Sequence, residues 1–394
     1  MHSGREISIS DTTYRATWDI FCTVVDNFGD IGVCWRLARQ LGEEHGLKVR
    51  LWTDDLSSFF RICPQVNPLL LTQTICGVEI RQWIKTGLNA VPADVVIEAF
   101  ACNIPENYVA AMAKNGRKHA WVNLEYLTAE SWIDSHHGLP SPHPGLPLVK
   151  HFFFPGFSEI SGGLLAEKGL VSRRRQFQSE PGLSGAFWRG LGIPAQNGKE
   201  IRVSLFCYAN NSVPALLSSW AGGSIPVQCF VPEGVAATQI AEFFGQPYSG
   251  AGNYFSKNNL LVRVLPFLEQ DAYDRLLWAC DFNFVRGEDS FVRAQWAARP
   301  MAWQIYPQRE EAHQPKLAAF LNRYCADLPR ATAMALKAFT DSWNQPEEMG
   351  NLDWNTLWGY RSTLERHAQQ WANTMIKKDD LATKLVKFCN NKLQ

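Results

Sequence analysis

Neither sign of charge predominates in this chain. Lysine plus arginine equals aspartate plus glutamate at 38 each over 394 residues. That balance argues against a general nucleic-acid binder or a polybasic membrane binder and leaves only local patches open. No apolar run reaches the length of a membrane span, and residues 1–17 hold no apolar signal core. The ten cysteines include no Cys-x-x-Cys pair, and several fall inside apolar runs, as free thiols do in a reducing compartment. The expectation is a cytoplasmic globular protein behind a loose extension, residues 1–17. The G-x-G-x-x-G fingerprint is also missing, which disfavours a nicotinamide dehydrogenase. Four histidines (His136, His137, His143 and His151) match no zinc spacing, and no cysteine assists them, so no metal is expected. The prolines among them (Pro140, Pro142, Pro144 and Pro147) predict an irregular loop that lines a cleft or touches a partner.

What is present is alternation. Apolar strand patterns at 18–25, 48–52, 78–83, 93–100 and 119–127 are separated by helical patterns, including 33–41, 56–62 and 105–113. Asp54 and Asp55 precede the second of these helices and read as its cap. Residues 155–200 are rich in Gly, Ser and Arg, with Arg173, Arg174 and Arg175 consecutive, and read as a solvated connection. A second alternating set follows. Its strands are 201–208, 225–231, 260–265, 282–285 and 301–305, and its helices are near 213–220, 236–244, 270–279, 290–298 and 315–324. Such alternation implies mostly parallel sheets in an α/β protein. The expected division is an extension over 1–17, a Rossmann-like domain over 18–170, a linker over 171–199 and a second Rossmann-like domain over 200–364. A carboxy-terminal helix, about 365–394, is expected to return to the first domain.

Two clusters carry chemistry. Asp26-Asn27-Phe28-Gly29-Asp30-Ile31-Gly32 joins the first strand to the first helix, at the strand end where open α/β sheets bind ligands. Two acids and two glycines in seven residues suggest work on a substrate, although Asp30 could serve as a helix cap alone. Arg286-Gly287-Glu288-Asp289-Ser290 opens a helix of the second set, with Asp289 or Ser290 as its cap. Its free N–H groups suit a phosphate or diphosphate, and Glu288 could accept from sugar hydroxyls. A bare capping box is the simpler alternative. Tyr208, Phe267, Gln270 and Tyr306 end or follow strands on the same edge and could form a pocket for a base and a sugar. Two such domains facing across a cleft suggest the GT-B architecture of nucleotide-sugar glycosyltransferases. With no D-x-D motif at a strand end, amides and side chains would meet the leaving diphosphate.

From Trp18 onward the chain resembles the bacterial elongation factor P protein-arginine rhamnosyltransferases. The resemblance rests on Trp18–Cys22, Val25–Val33, Trp35–Leu41, Asn123–Leu127 and Arg286–Ser290. It implies a metal-independent, inverting enzyme without a cofactor. Such an enzyme moves L-rhamnose from dTDP-β-L-rhamnose to one arginine of elongation factor P, which activates that factor for ribosomes stalled at polyproline. The resemblance further implies Asp30 as general base and Asp26 as holder of the acceptor guanidinium. It puts Asn27, Phe28, Gly29, Tyr208, Phe267, Gln270, Arg286, Glu288, Asp289, Ser290 and Tyr306 in the donor site. Elongation factor P is the expected partner, with neither nucleic acid nor membrane. Two rivals remain: a GT-B enzyme with another acceptor, such as a lipopolysaccharide sugar, and a non-catalytic nucleotide-binding protein.

Overall fold

Strand β1 (Thr17–Cys22) is buried from Trp18 onward, as a central parallel strand requires. The computed structural model that contains it describes residues 16–26, 28–83, 87–194, 198–308, 313–345 and 352–394. Among these residues two sheets form. The first runs β3 (Thr72–Ile75), β4 (Val78–Gln82), β2 (Lys48–Thr53), β1, β5 (Val95–Ala99), β6 (Ala120–Leu124), β8 (Val149–Phe153), β7 (Pro140–Pro142). Its edge strands β3 and β7 are antiparallel, and the rest are parallel. The second runs β11 (Tyr254–Lys257), β12 (Leu260–Leu265), β10 (Val227–Pro232), β9 (Ile201–Leu205), β13 (Phe282–Arg286), β14 (Met301–Gln304). There only β11 is antiparallel. Helices join the parallel strands, and the two Rossmann-like units face each other across a cleft, which is the GT-B arrangement expected.

In each sheet the strand order reverses beside the first strand: β1 lies between β2 and β5, and β9 lies between β10 and β13. Ligands of open α/β sheets bind outside such a point. Helix α1 (Gly29–His45) leaves the first reversal and α10 (Asp289–Ala297) leaves the second, and the two touch. Not every acid on these strands is a site residue. Asp19, wholly buried in β1, accepts from Arg50 Nε at 2.5 Å, from Trp52 Nε1 at 2.9 Å and from the Tyr108 hydroxyl. Its charge is fully paired, so its role is structural.

Five expectations need correction. The histidine–proline segment is not wholly irregular. It contains α4 (Ile133–His136) and β7, whose prolines sit on the sheet edge, where no ladder N–H is missed. The expected linker holds α5 (Leu170–Ser179) and α6 (Pro181–Gly190), and α5 lies on α9 (Gln270–Ala279). Arg174 of the arginine triplet is buried rather than solvated, its aliphatic stem lying inside the helix face that also buries Phe177. At the carboxy terminus only α15 (Leu381–Leu393) lies on the first unit, against α1 and β6. The preceding α14 (Arg361–Met375) lies on α10 of the second. Asp55 caps α2 (Leu56–Ile62) as expected, accepting from Ser57 N and Ser58 N. Asp54 instead accepts from Val24 N at 2.9 Å and steadies the loop after β1.

Candidate active site

The loop between β1 and α1 is closed by its own acid. Asp30, in the first turn of α1, turns Oδ2 back to accept from Val25 N at 2.8 Å and Asp26 N at 2.9 Å. Among the described residues its Oδ1 accepts only from the Tyr126 hydroxyl, at 3.1 Å, so one lone pair is left over. Asp26 reaches across the cleft. Its Oδ2 accepts from the Tyr208 hydroxyl at 2.5 Å, while its buried Oδ1 has no partner among the described residues. Burial raises the Asp26 carboxyl above its ordinary range, against the opposing pull of Tyr208 and the Arg286 charge. Gly29 is required here, because a Cβ on it would stand 2.8 Å from Asp26 Oδ2. Asn27, expected in the donor site, lies outside the described residues.

The facing wall is built at the end of β13. Gly287 turns the chain at φ 59°, and a Cβ there would meet Asp26 Oδ2 and the Tyr208 oxygen, each at 2.8 Å. Helix α10 begins without the expected cap: neither Asp289 nor Ser290 accepts from its first N–H groups. Ser290 Oγ accepts from Arg286 N at 3.0 Å and donates to Arg286 O. Asp289 Oδ1 accepts from Arg36 Nε at 2.8 Å. The orphan N–H groups of α10 and its positive dipole end are therefore left for a ligand. The Arg286 guanidinium lies over Phe206 at 4.3 Å and Tyr208 at 4.5 Å and donates to Cys207 O. Tyr306 meets Tyr208 edge-on at 5.5 Å, and Phe267 meets Phe28 across the cleft at 4.5 Å. Glu288 accepts from Leu127 N at 2.9 Å, and burial pushes its carboxyl up to about 8.

Most of the expected residues fall around two adjoining cavities; Tyr208 lines neither and stands behind Asp26 and Arg286. Phe28, Phe267, Gln270, Arg286, Asp289 and Ser290 line the first. Asp30, Tyr126, Gly287, Tyr306 and Lys316 line the second, of about 230 Å³. Asp26, Gly29 and Glu288 line both. Gln270 and Asp289 also hold the two units together. Gln270 Nε2 donates to Gly32 O at 2.9 Å and to Asp289 Oδ2 at 3.3 Å. Beneath them lies a network the sequence reading missed. Arg36 of α1 and Arg293 of α10, both buried, share Asp274 and Glu167, and Arg36 also holds Asp289. Asp274 follows Gln270 by one helical turn, a spacing visible in sequence, but nothing in sequence tells of its partner 238 residues away. Tyr126, Phe100, Phe206 and Lys316 were likewise not singled out.

The histidines take separate structural roles: His137 and His151 both lie edge-on to Phe388, His137 Nδ1 accepts from Phe154 N, and His143 Nδ1 accepts from Gly145 N. Among the described residues no group of three or more His, Cys, Asp or Glu could hold a metal ion.

Comparison with known proteins identifies the family. Residues 18–390 match the family model described as elongation factor P (EF-P) rhamnosyltransferase EarP. A protein-arginine rhamnosyltransferase of Pseudomonas aeruginosa is 48% identical over 95% of this chain and 98% of its own length. A solved structure described as the structural basis for EarP-mediated arginine glycosylation of EF-P is similar at a TM-score of 0.68 and 35% identity. It covers 96% of this chain and 99% of its own. A glycosyltransferase of Rickettsia africae shares the fold at a TM-score of 0.52 and 9% identity, over 96% of this chain and 98% of its own. A family model matched over nearly the whole chain and relatives at 48% and 35% identity show that the chain belongs to the EarP family of EF-P rhamnosyltransferases, glycosyltransferases of GT-B fold.

Proposed function

We propose that this protein transfers L-rhamnose, with inversion, from dTDP-β-L-rhamnose to one arginine side chain of elongation factor P, in the cytoplasm and without a metal. The carrying observation is that Asp26 and Asp30 share one cavity, and that Asp26 and Glu288 also border the cavity under the uncapped end of α10. The donor's diphosphate lies against the first N–H groups of α10 and Ser290, with Arg286 adding positive charge. The base lies among Phe28, Phe206 and Phe267. Asp26 Oδ1, buried and without a partner among the described residues, accepts the acceptor's guanidinium N–H. A cation suits this pair of carboxylates better than a neutral sugar hydroxyl does.

A guanidinium is a poor nucleophile because its electrons are delocalised and its pKa is above about 12. Two carboxylates fix it with charge-assisted bonds and hold one nitrogen at the anomeric carbon. As the new C–N bond forms, the bond from that carbon to the diphosphate oxygen breaks on the opposite face. The electron pair leaves with the nucleotide diphosphate, and the attacking nitrogen grows acidic. Asp30, which lines the cavity, takes the proton on Oδ1. Among the described residues no helix is long and apolar enough to cross a membrane. This is compatible with an acceptor that works in translation.

The test is intact-mass analysis of elongation factor P after incubation with dTDP-rhamnose and this protein in EDTA. One added deoxyhexose, mapped to a single arginine, is expected. Asp30→Asn should bind the donor and lose transfer by at least about a hundredfold. Turnover near wild type in that variant removes Asp30 as the base.

A further inference from the structure

Phe100 and Tyr126 stack beside the paired aspartates, their ring centroids 4.3 Å apart and their planes 14° apart. Both line the cavity that holds Asp26 and Asp30, and both are half-buried. The Tyr126 hydroxyl ties the pair to Asp30 Oδ1. The backbone under Phe100 is unusual. Just past β5, Phe100 has φ 57°, Ala101 52° and Asn103 55°. Three non-glycine residues in the left-handed region within four positions store strain that their surroundings must hold. Buried side chains hold it: Asn123 Oδ1 accepts from Ala101 N at 3.1 Å, and Glu98 Oε1 accepts from Asn103 N at 3.0 Å. Lys150 Nζ lies 3.0 Å from Glu98 Oε2, and Leu124 O accepts from Phe100 N at 2.7 Å. What this scaffold achieves is the position of one aromatic ring.

We propose that the Phe100–Tyr126 pair is the stacking surface for the acceptor's guanidinium and selects arginine over lysine. The inference rests on reading this cavity as the site for an arginine acceptor. A guanidinium is flat, delocalised and weakly hydrated, so it stacks on an aromatic face while its edge N–H groups reach carboxylates. Here the ring pair supplies the face, and Asp26 and Asp30 supply the edge partners. A lysine ammonium has no flat face to offer and is strongly hydrated. Stacking has a second effect. The reacting nitrogen's electron pair lies perpendicular to the guanidinium plane, so attack must leave through a face. Covering one face with aromatic rings leaves the other to the anomeric carbon.

The experiment is steady-state kinetics with elongation factor P and dTDP-rhamnose, varying each substrate in turn. Phe100→Leu is expected to raise the acceptor KM about tenfold with the donor KM within about twofold of wild type. Phe100→Trp keeps a stacking face and should hold the acceptor KM near wild type. Tyr126→Phe keeps the ring and loses the bond to Asp30, so its kcat should fall while its acceptor KM stays. An unchanged acceptor KM in Phe100→Leu overturns the stacking surface while leaving arginine transfer intact, and so does a rise confined to the donor KM. Should Phe100→Leu fail to fold, Tyr126→Leu reads the same split from the other ring, and an unchanged acceptor KM there is equally decisive. Absence of arginine transfer by the wild-type protein overturns the underlying reading and the proposal with it.

Discussion

At the scale of single residues, Glu288 ties the site to pH. Its carboxyl, ordinarily near 4.5, is pushed up to about 8 by burial, with Asp30 and Asp289 adding to the rise and Leu127 N and Lys316 opposing it. Between those values the folded protein holds a proton that the unfolded chain has released. Folding stability therefore falls as pH rises through that window, by at most about 1.4 kcal/mol per pH unit for one proton. Glu288→Gln stays neutral throughout. Its melting temperature should gain on wild type steadily from pH 5 to pH 8, and parallel curves would show that Glu288 is already ionised. The two aspartates were legible because acid and glycine crowd one short turn. Tyr126 and Phe100 were not, because each is an ordinary strand-end aromatic until the fold sets it beside Asp30.

At the scale of elements, the site depends on two turns that leave no room. Gly287 carries φ 59°, and the space its Cβ would need is occupied by Asp26 Oδ2 and the Tyr208 oxygen. Both are ends of side chains, so they can yield, but in yielding they lose their bond across the cleft. Gly287→Ala should cost about 1–2 kcal/mol in stability from the backbone alone and lower kcat/KM at least about tenfold. Thermal melts and initial rates measure the two effects separately. A fall in stability with unchanged kcat/KM would mean that the Asp26–Tyr208 contact is dispensable. The buried parallel strands could be read from their continuous apolar runs, and α9 and α10 from their periodicity. The edge strands β3, β7 and β11 escaped because they are short, half-exposed and, in β7, proline-bearing. Helix α5 escaped because a run of arginines reads as solvated chain until the fold buries one of their stems, and α6 because its proline and three glycines read as loop.

At the scale of the whole molecule, the two units are coupled behind the cleft by buried charge. Arg36 and Arg293 lie among Asp274, Asp289 and Glu167, and the guanidiniums hold the Glu167 carboxyl well below its usual range. Arg36→Met takes from Asp289 its guanidinium partner and leaves Asp274 and Glu167 to share Arg293, which should cost about 3–5 kcal/mol. The same change should let the units separate, raising the radius of gyration in small-angle scattering. An unaltered radius and melting temperature would make the network incidental. Coupling of this kind is invisible in a linear sequence, since its partners are drawn from four distant segments. A different consequence follows from the last helix. Leu381, Leu385 and Cys389 of α15 fill the apolar interior of the first unit, among residues of α1 and β6 made more than 250 positions earlier. During synthesis that interior stays open until α15 itself has emerged, so the first unit cannot close before the whole of the second has been made.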